Sequence, residues 1–205
     1  MPTRIDSESR EGLQSVLAGS KFYRFKDIHL VFLEQVDSTQ TYMADVLKSE
    51  REGDLVISTI QTNGKGREGR SWVSQSGGLW MTITLKPPST FPQEEIVRIG
   101  SRAITKTLTG RGLACTLKPP NDVYCDGKKI AGILADTVVQ GINCRVYLGV
   151  GINVNNDVSQ DVSIAEIATS VRNEIGRPVD ITEFTISLLK NLDGEYFSVI
   201  QSHVS

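Results

Sequence analysis

The segment Gln61-Thr62-Asn63-Gly64-Lys65-Gly66-Arg67-Glu68-Gly69-Arg70-Ser71-Trp72 constrains the fold of this chain more than any other stretch. Gly64, Gly66 and Gly69 spell the G-x-G-x-x-G of a dinucleotide-binding turn, which needs a strand before it and a helix opening directly after it. The strand is present in Leu55-Val56-Ile57-Ser58-Thr59-Ile60. The helix is absent, because Leu79-Trp80-Met81-Thr82-Ile83-Thr84-Leu85 reads as a second strand after a polar, glycine-bearing link. There is then no helix N-terminus to hold a pyrophosphate. No Gly-Lys-Ser/Thr follows either, so a P-loop is excluded. The segment is a loop between strands. Its glycines let the backbone approach a ligand closely. Three cations within seven residues, in a chain of net charge −2, point to phosphate or carboxylate. Taken alone, the same residues also fit an exposed turn with solubilising charges.

The rest of the chain continues the mixed pattern. A short helix is expected over residues 7–20 and a strand over 28–32. Asp37, Ser38 and Thr39 are good N-caps for a helix carrying Tyr42, Met43, Val46 and Leu47 at helical spacing. Strands are expected at 55–62 and 79–86, and a helix from Gln93 to Thr109 with Ile96, Ile99, Ala103, Ile104 and Leu108 on one face. Thr116-Leu117-Lys118 enters the turn Pro119-Pro120-Asn121-Asp122. Asp126-Gly127 is the strongest hairpin signal, and a second hairpin turns at Gln140-Gly141-Ile142-Asn143. The following strand ends at Gly149-Val150-Gly151-Ile152-Asn153. Helices are expected at 163–175 and 182–200. Hairpins dominate and helices do not alternate strictly with strands. The fold class is α+β, a mixed and mostly antiparallel sheet backed by helices.

At 205 residues the chain fits a single domain over 1–205. No apolar run approaches the roughly 18 residues of a membrane span, and residues 1–20 lack the apolar core of a signal peptide. Cys115, Cys125 and Cys144 are odd in number, with no C-x-x-C, and read as reduced, mostly buried thiols of a cytoplasmic protein. His29, in a strand, and His203, in a fraying tail, supply no Ser-His-Asp or H-E-x-x-H arrangement. An enzyme of this composition works by positioning and charge stabilisation. Lys118 to Asp122, then Lys128-Lys129 opening an apolar strand, place cations and a carboxylate where they can meet a cleft. As isolated pieces, they fit a hairpin with solvated lysines equally well.

Together and in this order, the pieces resemble the catalytic domain of biotin–protein ligases. That family has a Ser-Thr-Asn motif, a G-R-G-R-x-G-R-x-W loop, a K-W-P-N-D turn, a K-x-x-G-I-L strand and a G-x-G-I-N strand. The chain has Ser38-Thr39-Gln40, the loop Gly64 to Trp72, Lys118-Pro119-Pro120-Asn121-Asp122, Lys129-Ile130-Ala131-Gly132-Ile133-Leu134 and Gly149-Val150-Gly151-Ile152-Asn153. Gln40 stands for asparagine, Lys65 for arginine and Pro119 for tryptophan, and Glu68 adds a negative charge. Lipoate ligases resemble it less, since their loop reads R-R-x-x-G-G-G. The resemblance implies a sheet like that of class II aminoacyl-tRNA synthetases.

It also implies an ATP-dependent ligase that forms biotinyl-5′-AMP from biotin and MgATP. The ligase then passes biotin to a lysine of a biotin carboxyl carrier protein. A biotin- or adenylate-binding module that needs a partner chain for transfer is the other class the pieces allow. By resemblance, Arg67 and Lys129 hold the carboxylate and α-phosphate, and Asp122 orients the acceptor lysine. Ser38, Thr39, Gln40 and Gln61 face the ureido ring, while Gly64, Lys65, Gly66, Gly132 and Gly149 complete the biotin slot. Arg70, Trp72, Lys118, Asn121 and Asn153 reach the nucleotide, with Trp72 covering the adenine. Mg²⁺ is carried by the ATP phosphates, and no side chain is assigned to it. Neither an N-terminal helix-turn-helix nor a C-terminal SH3-like barrel is expected within these residues, so no DNA partner is expected. An exposed edge strand leaves a homodimer open.

Overall fold

The computed structural model describes residues 7–25 and 27–204. Its centre is a seven-stranded sheet in the order β1-β2-β3-β7-β6-β5-β4. The strands are β1 (His29–Val36), β2 (Asp54–Gln61), β3 (Leu79–Leu85), β4 (Cys115–Lys118), β5 (Asp122–Cys125), β6 (Lys128–Gln140) and β7 (Asn143–Ile152). Only β1 and β2 pair in parallel; the other neighbours are antiparallel. The expected mixed, mostly antiparallel sheet is therefore the one observed.

One face of the sheet carries the core. Leu55, Ile57, Met81, Ile83, Ile133, Leu148 and Val150 are buried there with two long helices, α3 (Gln93–Thr109) and α5 (Ile181–Val204). Ile96, Ile99, Ala103, Ile104 and Leu108 form the buried stripe of α3, as its spacing predicts. At Gly100, α3 packs on the sheet at a distance where a Cβ would make ordinary contact with Ile133, at 3.5 Å. Helix α1 (Ser7–Gly19) adds Leu13 and Leu17. Emptying any such side chain to alanine costs about 2–5 kcal/mol. Asp193 of α5, 1% exposed, accepts backbone N–H groups of Tyr23, Arg24 and Phe25, which fixes the turn entering β1.

The hairpin β5–β6 turns at Asp126 and Gly127, whose φ values of 46° and 75° are those of a type I′ turn. The opposite face of the sheet is crossed by α2 (Thr39–Thr41), which continues as a π-helical stretch over Tyr42–Leu47. Met43, Val56 and Tyr147 form a small second core beneath it.

Three expectations are corrected. No helix runs over 163–175; residues 161–168 form successive turns, and only α4 (Val171–Ile175) is helical. Ala168 bridges to Lys129 and Thr169 donates to its carbonyl, so this backbone is taken by the sheet. Ser170, with its side chain accepting from Asn173, then starts the helix. Cys115 and Cys125 face each other across β4 and β5 and are joined by a disulfide; only Cys144 is a buried free thiol. Burial pushes the Cys144 thiol up from its ordinary pKa. His203 lies in α5, its ring edge-on to Phe91 at 5.0 Å, and not in a frayed tail.

Candidate active site

The site begins with side chains the sheet omits. Alternate residues of a strand share a face, and the register aligns Thr82, Gly149 and Leu134 in one row. The next row holds Trp80, Gly151, Gly132 and Asp122. Three adjacent positions on this face are glycine, and the space above them is a cavity of about 260 Å³. Trp72 lies on the floor: a Cβ at Gly132 or Gly151 would come within 2.9 or 2.6 Å of its ring. At Gly149 the obstacle would be Gln40 Oε1, at 2.6 Å.

The polar wall comes from α2 and the end of β2. Since β1 and β2 are parallel, their C-terminal ends lie together, and the segments leaving them meet over the glycine floor. Ser38 occupies the N-cap position but its side chain makes no capping bond. Gln61 does that work instead: its Oε1 accepts from Thr39 N at 2.8 Å and from Thr39 Oγ1 at 3.1 Å. The other end of the Gln61 amide donates to Ser74 Oγ at 2.8 Å. Gln40, 4% exposed, donates to Asp136 at 2.9 Å and to the Tyr147 carbonyl at 2.8 Å.

The glycine-rich loop forms the basic rim. It is a narrow ribbon in which Lys65 pairs with Ser71, and Trp72 N donates to Gly64 O at 2.8 Å. Gly64 is required here, since a Cβ would lie 2.4 Å from the Trp72 carbonyl. A 3₁₀ turn, Arg67–Gly69, caps the ribbon, with Glu68 in the left-handed region at φ 58° and paired with Arg70 at 3.3 Å. Arg67 donates to Asn121 Oδ1 at 3.4 Å, and Asn121 donates in turn to the Ile133 carbonyl at 2.9 Å. The loop arginine is thus tied through the 119–122 turn to β6. Lys129, opening β6, sits 2.8 Å from Asp122 and 4.9 Å from the Trp72 ring centre. Two cations on separate elements, with a carboxylate and an aromatic face between them, suit an anionic ligand with an apolar body.

The cavity unites Ser38, Thr39, Gln40 and Gln61 with Lys65, Gly66, Arg67, Arg70 and Trp72 of the loop. Asn121, Asp122, Lys129, Gly132, Gly149 and Asn153 complete the predicted set. Gly64 is outside, lining an adjoining hollow behind the loop. Lys118 is also outside; it is exposed on β4 with its ammonium 4.6 Å over Tyr124. Asn153 is 3% exposed and both ends of its amide are engaged, by the Thr169 carbonyl and by Asn156. Trp72 covers the glycine floor in this structure, with its indole N–H buried and unpartnered. Gly151, Ile164, Ile167 and Ala168 line the cavity without having been expected there. Gly151 lay within a quoted motif. The other three lie in the segment expected to be helical, where their spacing gave no sign of a wall.

This arrangement matches a known family. Residues 32–153 fit the model of the Biotin/lipoate A/B protein ligase family, and the chain belongs to that family. Within it, the similarity is to biotin ligases. The bifunctional ligase/repressor BirA of Bacillus spizizenii is 33% identical over 184 residues, covering 85% of this chain and 53% of that protein. The biotin–[acetyl-CoA-carboxylase] ligase of Paracoccus denitrificans is 31% identical over 163 residues, 74% of this chain and 66% of the relative. The biotin protein ligase of Aquifex aeolicus, solved with biotin and ATP, superposes with a TM-score of 0.74 at 29% identity, over 84% of this chain and 72% of that one. The chain spans about half the length of the Bacillus relatives.

Proposed function

We propose that this chain is the catalytic domain of a biotin–protein ligase. It joins biotin to ATP as biotinyl-5′-AMP, with release of pyrophosphate, and then passes biotin to a lysine of a carrier domain. The observation that carries this reading is that Arg67 of the loop and Lys129 of β6 both line a glycine-floored slot, each anchored by a neighbour in the 119–122 turn. A carboxylate attacking an anionic α-phosphate must be held in line, and the repulsion between them offset. Arg67, pre-oriented by Asn121, and Lys129 supply that charge. The apolar strip of Leu134, Gly149 and Trp72 accepts a ring and its alkyl tail.

Asp122 is the one carboxylate among the described residues lining the cavity. A site with a single carboxylate suits Mg²⁺ arriving on the triphosphate, which keeps most of its ligands from phosphate and water. In the second step Asp122, next to Lys129, is placed to accept a hydrogen bond from the incoming amine as it attacks the mixed anhydride and AMP leaves. The acceptor is a biotin carboxyl carrier protein on this reading. On this reading the reaction takes place in the cytoplasm; no described helix is long and apolar enough to cross a membrane.

The test combines calorimetry with biotin and ATP, pyrophosphate release without acceptor, and transfer of labelled biotin to a carboxyl carrier domain. Lys129→Ala is expected to lower the rate of adenylate formation about 10²–10³-fold, the usual effect of removing one preorganised charge. Biotin binding by the wild type with no pyrophosphate released would reassign the chain as a binding module. Absence of biotin binding would overturn the reading altogether.

A further inference from the structure

The hydrogen-bond inventory at the deep end of the cavity leaves one acceptor position open. Thr39 Oγ1 lies 3.1 Å from Gln61 Oε1 and 2.9 Å from Thr82 Oγ1 and can donate to either, since Gln61 Oε1 already accepts from Thr39 N. Thr82 has a single hydroxyl proton and two acceptors in range, Thr39 Oγ1 at 2.9 Å and Gln40 Oε1 at 3.1 Å. When Thr82 donates to Gln40 Oε1, that amide oxygen still has a second lone pair for which no protein donor is in range among the described residues. Gln40 cannot turn its amide away. Both its N–H groups are committed, one to the Asp136 carboxylate at 2.9 Å and one to the Tyr147 carbonyl at 2.8 Å. Both partners accept only, so rotating the amide would set oxygen against oxygen. Gln40 is therefore locked with its oxygen above Gly149, inside the cavity. A buried acceptor with a lone pair to spare suits a ligand that brings an N–H.

We propose that Asp136 is a specificity-positioning residue: by holding the Gln40 amide in one orientation, it makes the deep end of the cavity read an N–H of the ligand's head group. The inference rests on the biotin reading of the site and deepens it. A cyclic urea carries N–H donors; the dithiolane or alkyl head of a lipoate-type acid carries none. Asp136 itself is exposed and does not line the cavity, so it acts through Gln40 and not by contact. The family pattern has the shorter asparagine at position 40. In this chain the longer Gln40 reaches Asp136 on β6 at 2.9 Å.

The experiment measures binding of biotin and of its two mono-N-methylated ureido derivatives to the wild type, Asp136→Ala and Asp136→Glu, together with KM for ATP and kcat at saturating biotin. In the wild type, methylation of one ureido nitrogen is expected to weaken binding at least 10-fold. Asp136→Ala should bind biotin about 3- to 10-fold more weakly, the effect of one hydrogen bond, and should lose most of the discrimination against that methylated ligand. Its KM for ATP and kcat should stay at wild-type values. Asp136→Glu should restore the discrimination. Unchanged discrimination in Asp136→Ala would overturn the role of Asp136 while leaving the biotin reading intact. Equal weakening of all three ligands would show a merely structural role. A wild type that binds no biotin would remove the parent reading as well.

Discussion

At the scale of single residues, the site is defined as much by missing atoms as by present ones. Gly132, Gly149 and Gly151 are compatible with ordinary strand geometry, and their value lies in what a Cβ would meet. At Gly151 it would lie 2.6 Å from Trp72 Nε1 and 2.7 Å from Cε2. Gly151→Ala should therefore lift the indole off the floor. Overpacking of this kind costs about 1–3 kcal/mol. The expected result is a folded protein with altered tryptophan fluorescence and biotin binding weakened about 10-fold or more. Unchanged affinity would mean that Trp72 is not a wall of the slot. Most of these residues were legible in the sequence because chemistry and spacing coincided: a cation, an amide or a glycine in an ordered motif. Lys118 shows where that logic stops. It belongs to the same quoted turn as Asn121 and Asp122, yet its strand directs it onto Tyr124. Side-chain direction depends on register, which a motif does not contain.

At the scale of elements, legibility followed the strength of the local signal. The Gln93–Thr109 helix and the Asp126-Gly127 hairpin rest on periodicity and turn chemistry, and the structure has both where they were expected. The segment 161–168 has helix-forming residues, but its backbone is claimed by Lys129 of β6, a contact more than thirty positions away. The disulfide was illegible for a related reason. Only the β4–β5 register sets Cys115 opposite Cys125. Between helices, the contact with the clearest electrostatic consequence is Glu195 of α5, which receives Arg102 of α3 at 2.7 Å and pairs with Lys106. Burial alone would raise the Glu195 carboxyl, but hydrogen bonds from Lys106 and Arg102 outweigh it and hold the group below its ordinary pKa. A depressed carboxyl stabilises the fold above its unfolded pKa, and that contribution is lost as pH falls through the folded value. Denaturant titrations at pH 7 and below pH 4 should show a smaller acid loss of stability in Glu195→Gln than in the wild type. An identical loss would mean that the α3–α5 pair is not held by this carboxylate.

At the scale of the whole molecule, the sheet is unequally covered. Its core face is closed by α3 and α5, whereas the face bearing the site is covered by α2 with its π-helical continuation, the basic loop and the 161–168 turns. Domains of this size gain stability by packing layer on layer, and here one layer is incomplete where the three glycines lie. The ligand then serves as a temporary piece of the protein interior. It fills a place that the chain leaves without side chains, and in doing so it bridges the elements that meet around it. Anything that binds the folded form alone shifts the folding equilibrium by mass action, about 2.7 kcal/mol at a hundredfold excess over Kd. Thermal melts at increasing biotin should rise steadily, and a melting temperature indifferent to saturating biotin would contradict this picture. On the proposed reading, the hollow in the sheet makes the folded population itself a gauge of how much biotin surrounds the protein.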